Sequence, residues 1–160
     1  MNSMTPTAAS SFLCAFRFAV SSTKDRAVAG SVENRELVKS LGDRFGREYA
    51  KTVSVSGESG LVAHLSSFAD AAGIGRFRLK EARLLEVSGC YDCVFPRKAS
   101  RGPTCVFEEG FLQGVYGGAL GVKAEVHEIT CCSSSGTSCV FAVKLSAGPK
   151  ELGRNLILDK

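Results

Sequence analysis

The chain has 160 residues, 44% of them hydrophobic and 22% charged, with only four prolines; this is the composition of one globular domain able to bury a core. Twenty basic and sixteen acidic side chains leave a net charge of +4, and the basic runs at Arg76 to Arg83 and Arg97 to Arg101 read as solvated faces, which argues against nucleic acid as a partner. The most apolar stretch, Phe12 to Val20, is short of the roughly 20 residues a bilayer span needs, contains Arg17 and lacks the flanks of a signal peptide, so the expectation is a cytoplasmic protein with no membrane partner.

Within residues 1–30, a segment otherwise read as loosely ordered, Phe12, Cys14, Phe16, Phe18 and Val20 alternate as in a half-buried strand, spanning 12–20. That strand fits either a sheet edge or a pairing across a dimer. From Ser31, the expected cap, the period lengthens: Leu37, Leu41, Phe45 and Tyr49 recur every four residues, with Asp43/Arg47 and Arg44/Glu48 on the wet side. Gly42 and Gly46 weaken this helix and so point to close packing against a neighbour. A second helix carries Leu61, Leu65, Phe68 and Ala72 and ends near Gly73; His64 in it reads as an ordinary helical histidine.

Phe77 and Leu79, then Leu84, Leu85 and Val87, predict a hairpin turning near Lys80 to Ala82, and Ser88 to Pro103 reads as a loop. Pro103 is expected just inside a third helix that runs to about Leu120, with Phe107, Phe111, Val115 and Leu120 near one side. Alternation over Val122, Ala124 and Val126, a turn from Ser133 to Thr137, and the run Val140 to Val143 predict a second antiparallel hairpin. The tail 147–160 contains Leu156, Ile157 and Leu158, a short edge contact at most. The expected architecture is α/β of the α+β type, with helices packed on an antiparallel sheet in one domain over 31–146.

Seven cysteines, odd in number and without a secretion signal, suggest metal or redox chemistry, and six of them fall between positions 90 and 139. The start of the third helix and the second hairpin carry four groups of metal-ligand type: Cys105, Glu128, Cys131 and Cys139. Three thiolates and a carboxylate complete a tetrahedral zinc shell with no open position for a catalytic water. Spacing alone leaves open that these are free buried cysteines packing as small apolar residues.

The stretch 84–145 resembles the 4-vinyl reductase domain of vinyl reductases, archaeal hydrocarbon-binding proteins and aromatic-responsive sensor domains. The resemblance rests on Cys105-Val-Phe-Glu-Glu-Gly110-Phe-Leu-Gln-Gly114, on Gly121 to Cys131 with Glu128, and on Gly136-Thr-Ser-Cys139-Val-Phe141. It implies one structural Zn²⁺ held by Cys105, Glu128, Cys131 and Cys139. It also implies a superfamily shared with vesicle-tethering subunits that enclose an acyl chain, and pairing as a homodimer. The chain departs from the pattern in Cys132 and in Cys90-Tyr-Asp-Cys93, a CxxC that reads as a redox pair or as half of a second metal site.

Gly110, Gly114, Gly117 and Gly118, with Phe107, Phe111 and Tyr116, are candidates for lining an apolar pocket, and the alternative is that the aromatics simply fill the core. The expected function is a zinc-containing module that binds a small hydrophobic, aromatic or acyl ligand and acts through an effector protein. One competing expectation is an enzyme acting on a tetrapyrrole vinyl group. Against it stand the lack of GxGxxG, Walker and HExxH patterns and the place of Gly73-Ile-Gly75 before a strand, the wrong order for a dinucleotide turn. His127 beside Glu128 faces the other side of a strand, which argues against an acid-base pair. The other competing expectation is a structural adaptor with a permanently filled apolar pocket.

Overall fold

The computed structural model describes residues 32–72, 75–81, 83–90, 105–133 and 136–147. The expected N-terminal strand, the Ser31 cap, Gly73, Cys93, Pro103 and the apolar tail lie outside the described residues. Three helices, α1 (Val32–Ala50), α2 (Gly57–Ala72) and α3 (Val106–Leu120), accompany four strands, β1 (Arg76–Glu81), β2 (Leu84–Ser88), β3 (Lys123–Thr130) and β4 (Ser138–Ser146). The sheet runs β1-β2-β4-β3, antiparallel throughout, so the class is α+β as expected.

The first hairpin turns through Arg83, at φ 66°, and pairs Phe77 with Val87 and Leu79 with Leu85. Its second strand pairs with the return strand of the other hairpin, Leu85 opposite Phe141 and Val87 opposite Cys139. The two hairpins thus join through β2 and β4, and Leu85, Val87, Val126 and Phe141 present a continuous apolar face. Leu61 and Leu65 of α2 meet this core, and the Ser66 hydroxyl donates to the Phe77 carbonyl, tying α2 to β1.

Burial on α1 departs from the simplest reading of its apolar stripe. A repeat of four advances about 40° per step around a 3.6-residue helix, so the line from Leu37 to Tyr49 spirals off any one face. Leu37 is accordingly 58% exposed, while Gly42, Gly46 and Ala50 are buried. A Cβ on Gly42 or Gly46 would collide with the Phe107 or Phe111 carbonyl of α3, and one on Gly110 or Gly114 would collide with the Lys39 or Asp43 carbonyl of α1. The two helices cross backbone to backbone on four glycines, the close packing that Gly42 and Gly46 suggested. Between α1 and the sheet, α3 is buried on all sides from Val106 to Gly117 except at Gln113, rather than on one stripe. Gly121, left-handed at φ 69°, ends it.

Candidate metal centre and ligand site

Cys105 immediately precedes α3 as its N-cap residue and is fully buried. Along β3, Ala124, Val126 and Glu128 alternate inward while Ile129, 57% exposed, faces out. Regular alternation would send Glu128 and Cys131, three apart, to opposite faces. The pairing register slips between Glu128 and Thr130, and the chain then leaves the strand, so both residues are buried on the inner side. Cys139, at the start of β4, completes the group.

One donor atom from each of Cys105, Glu128, Cys131 and Cys139 lies within 4.8 Å of all the others. The Cys105 and Cys139 sulfurs are 3.6 Å apart, close to the roughly 3.8 Å between two sulfurs bound at ~2.3 Å in a tetrahedral shell. The backbone N–H of Cys105 donates to Glu128 Oε2 at 3.0 Å, aligning the carboxylate with the helix start. The N–H of Cys132 approaches the Cys139 sulfur at 3.5 Å, and Ser133 Oγ lies 2.9 Å from the Cys131 sulfur, both outer contacts of the kind that orient metal ligands. Four buried soft and hard donors at this spacing can hold a metal ion.

Behind this group stand two carboxylates that the sequence reading passed over. Glu108 and Glu109 are both buried on α3. Glu109 Oε1 accepts the Glu128 N–H at 2.7 Å, and its Oε2 pairs with Lys39 Nζ at 3.1 Å, which also donates to the Val126 carbonyl at 3.3 Å. One buried acid therefore links α1, α3 and β3 directly behind a candidate ligand. The available signal was an acidic pair inside an apolar helix, since burial of such charge demands partners.

Cys90, just after β2, is also buried, with its sulfur 3.5 Å from that of Cys105 and 3.9 Å from Glu108 Oε1. Cys132 is half-buried. His127 and His64 are exposed, His127 on the side of β3 opposite to Glu128.

The aromatics gather where α1, α2 and α3 meet. Phe107 and Phe111 stack with centroids 6.5 Å apart, Phe45 reaches Phe111 at 5.8 Å, and Tyr49 contacts Phe111 at 5.8 Å and Phe68 at 4.6 Å. Tyr116 is completely buried, and neither its hydroxyl nor that of Tyr49 has a hydrogen-bond partner among the described residues. Burial, reinforced by the nearby Glu58 carboxylate, raises the Tyr116 pKa far above its usual value and keeps the hydroxyl protonated. Burial alone does the same at Tyr49. Gly110 and Gly114 face the α1 backbone, and Gly118 abuts the Ala50 side chain.

Residues 87–145 match the family model of the 4-vinyl reductase domain. No curated protein matches the chain. Among solved structures, the phenol-responsive sensory domain of the transcription activator PoxR, determined with phenol, superposes with a TM-score of 0.62 at 16% identity, covering 100% of this chain and 85% of that one. A vinyl-4-reductase family protein from Methanocaldococcus jannaschii superposes with a TM-score of 0.56 at 15% identity, covering 84% of this chain and 80% of that one. No helix among the described residues is long and apolar enough to cross a membrane. Helix α3 and the β3–β4 hairpin, which carry all four clustered donors, lie inside the matched stretch, and residues 87–145 are accordingly a 4-vinyl reductase domain.

Proposed function

We propose that the chain is a small-molecule-binding domain that accepts a compact aromatic or phenolic ligand among the helices and is braced by one structural zinc ion. The observation that carries the ligand reading is the Tyr116 hydroxyl, fully buried beside an aromatic cluster without a partner among the described residues. Leaving such a group unsatisfied costs about 1–3 kcal/mol, which a hydroxylated apolar ligand recovers by bonding to it. The phenol-responsive domain of PoxR, sharing this fold, supports the same ligand class. Phe107 and Phe111 supply apolar walls, and Gly110 and Gly114 set how closely α1 approaches them.

Cys105, Glu128, Cys131 and Cys139 supply zinc with four protein donors, and the mix of thiolate with carboxylate favours it over harder divalent ions. Such an ion fastens the start of α3 to both strands of the second hairpin, so its binding free energy becomes folding free energy. Ligand binding then acts through a different affinity for two arrangements of the helices, read out by a second copy of the chain or by an effector protein.

Calorimetric titration of the full chain with phenol tests the ligand reading. Saturable one-site binding is expected, weakened about tenfold in Tyr116→Phe by loss of one hydrogen bond, with folding and zinc content retained. Binding unchanged in Tyr116→Phe removes Tyr116 from the site, and no binding of phenol or substituted phenols overturns the ligand class.

A further inference from the structure

We propose that Cys90, Cys105 and Glu108 form a second metal site adjoining the first, with the Cys105 thiolate bridging two thiophilic divalent ions. The proposal rests on the reading of Cys105 as a zinc ligand. One donor atom from each of the three residues lies within 4.8 Å of the other two, and all three residues are buried. The Cys90 and Cys105 sulfurs are 3.5 Å apart, almost the separation of the Cys105 and Cys139 sulfurs, 3.6 Å. Cys90 Sγ lies 3.9 Å from Glu108 Oε1, again the scale of two donors on one tetrahedral ion, which sit roughly 3.5–3.8 Å apart. Cys105 is common to both groups, and a thiolate sulfur has lone pairs enough for two ions.

Charge supports the same conclusion. Three thiolates and one carboxylate around a single divalent ion carry a net charge of −2 in a buried centre. Glu108, 1% exposed, adds another carboxylate beside it, and Cys90 as a thiolate adds one more charge. Buried charge of one sign is costly without a counter-charge at hand. A second divalent cation at Cys90, Cys105 and Glu108 supplies that charge and uses donors that the first shell leaves over. The site draws its ligands from the end of β2 and the first turn of α3, so it links the first hairpin to the helix as the first ion links the second.

The test is native mass spectrometry of the full chain, stripped of metal and titrated with Zn²⁺ under reductant, for the wild type, Cys90→Ser, Glu108→Gln and Cys139→Ser. The wild type is expected to take two ions per chain and Cys90→Ser one, with the second equivalent at least about tenfold weaker in Glu108→Gln. The wild-type count needs no variant to fold. One ion per chain, retained in Cys90→Ser and lost in Cys139→Ser, overturns the second site and leaves the first standing. One ion lost in Cys90→Ser and retained in Cys139→Ser supports the Cys90 locus and overturns the first. No ion in any form overturns both.

Discussion

Cys139 shows how much one side chain carries. It opens the central strand β4, its sulfur accepts the Cys132 N–H, and it stands 3.6 Å from the Cys105 sulfur. Replacing it with serine removes one thiolate from the proposed shell. Metal content by atomic emission is expected to fall well below that of the wild type, with loss of a large part of the roughly 10–16 kcal/mol that structural zinc contributes to folding. Glu109 acts one step further out, through the Glu128 N–H and Lys39. Glu109→Ala leaves both unpaired and is expected to cost about 1–3 kcal/mol by chemical denaturation, whereas Glu109→Gln keeps an oxygen for the N–H and costs less. At this scale the candidate ligands were legible from residue type and spacing. Glu109 was not, because its meaning depends on Lys39, distant in sequence, and on a backbone N–H whose direction a sequence does not carry.

Among elements, the crossing of α1 and α3 is the tightest joint. Gly114→Ala places a methyl group against the Asp43 carbonyl, a backbone atom that cannot rotate away. Thermal denaturation is expected to reveal a loss at or above the usual overpacking range of about 1–3 kcal/mol. Gly60→Ala on α2 is the contrasting case: the added Cβ meets only the Val55 side chain, at 3.6 Å, and gains up to about 1 kcal/mol of helix propensity. The join of β2 to β4 carries a charge-dependent contact, because the Ser138 hydroxyl donates to Glu86 at 2.8 Å. That bond, with help from Lys80 and Arg78, lowers the Glu86 pKa below its ordinary 4.5. A lowered folded-state value means that the contribution is complete above about pH 4.5 and is lost as pH falls through the folded value. In Ser138→Ala, Glu86 is expected to titrate closer to its ordinary value, as side-chain carbonyl NMR would show. Helix α2 and both hairpins were legible from periodicity, since a period of two or 3.6 is a local property. The buried side of α1 was harder to read because glycines, without side chains, leave no mark on an apolar pattern.

In the whole molecule, the helices and the two hairpins meet at one end of α3, where Cys90, Cys105, Glu128, Cys131 and Cys139 converge. Metal removal is therefore expected to loosen the assembly rather than one element. A strong chelator under reductant should lower the melting midpoint by many degrees, at about 2–4 °C per kcal/mol for a domain of this size, and added zinc should restore it. An unchanged midpoint in chelator would return the cysteines to the role of small apolar residues. The sequence by itself determined the α+β class, the hairpins and the four clustered donors, because alternation, helical period and ligand chemistry are written in neighbouring residues. Only the tertiary structure decided the strand order β1-β2-β4-β3, the glycine crossing that places α3 between α1 and the sheet, and the approach of Cys90 to Cys105. These join segments far apart in the chain, and their geometry follows from how complete elements exclude water and one another, which no local pattern encodes.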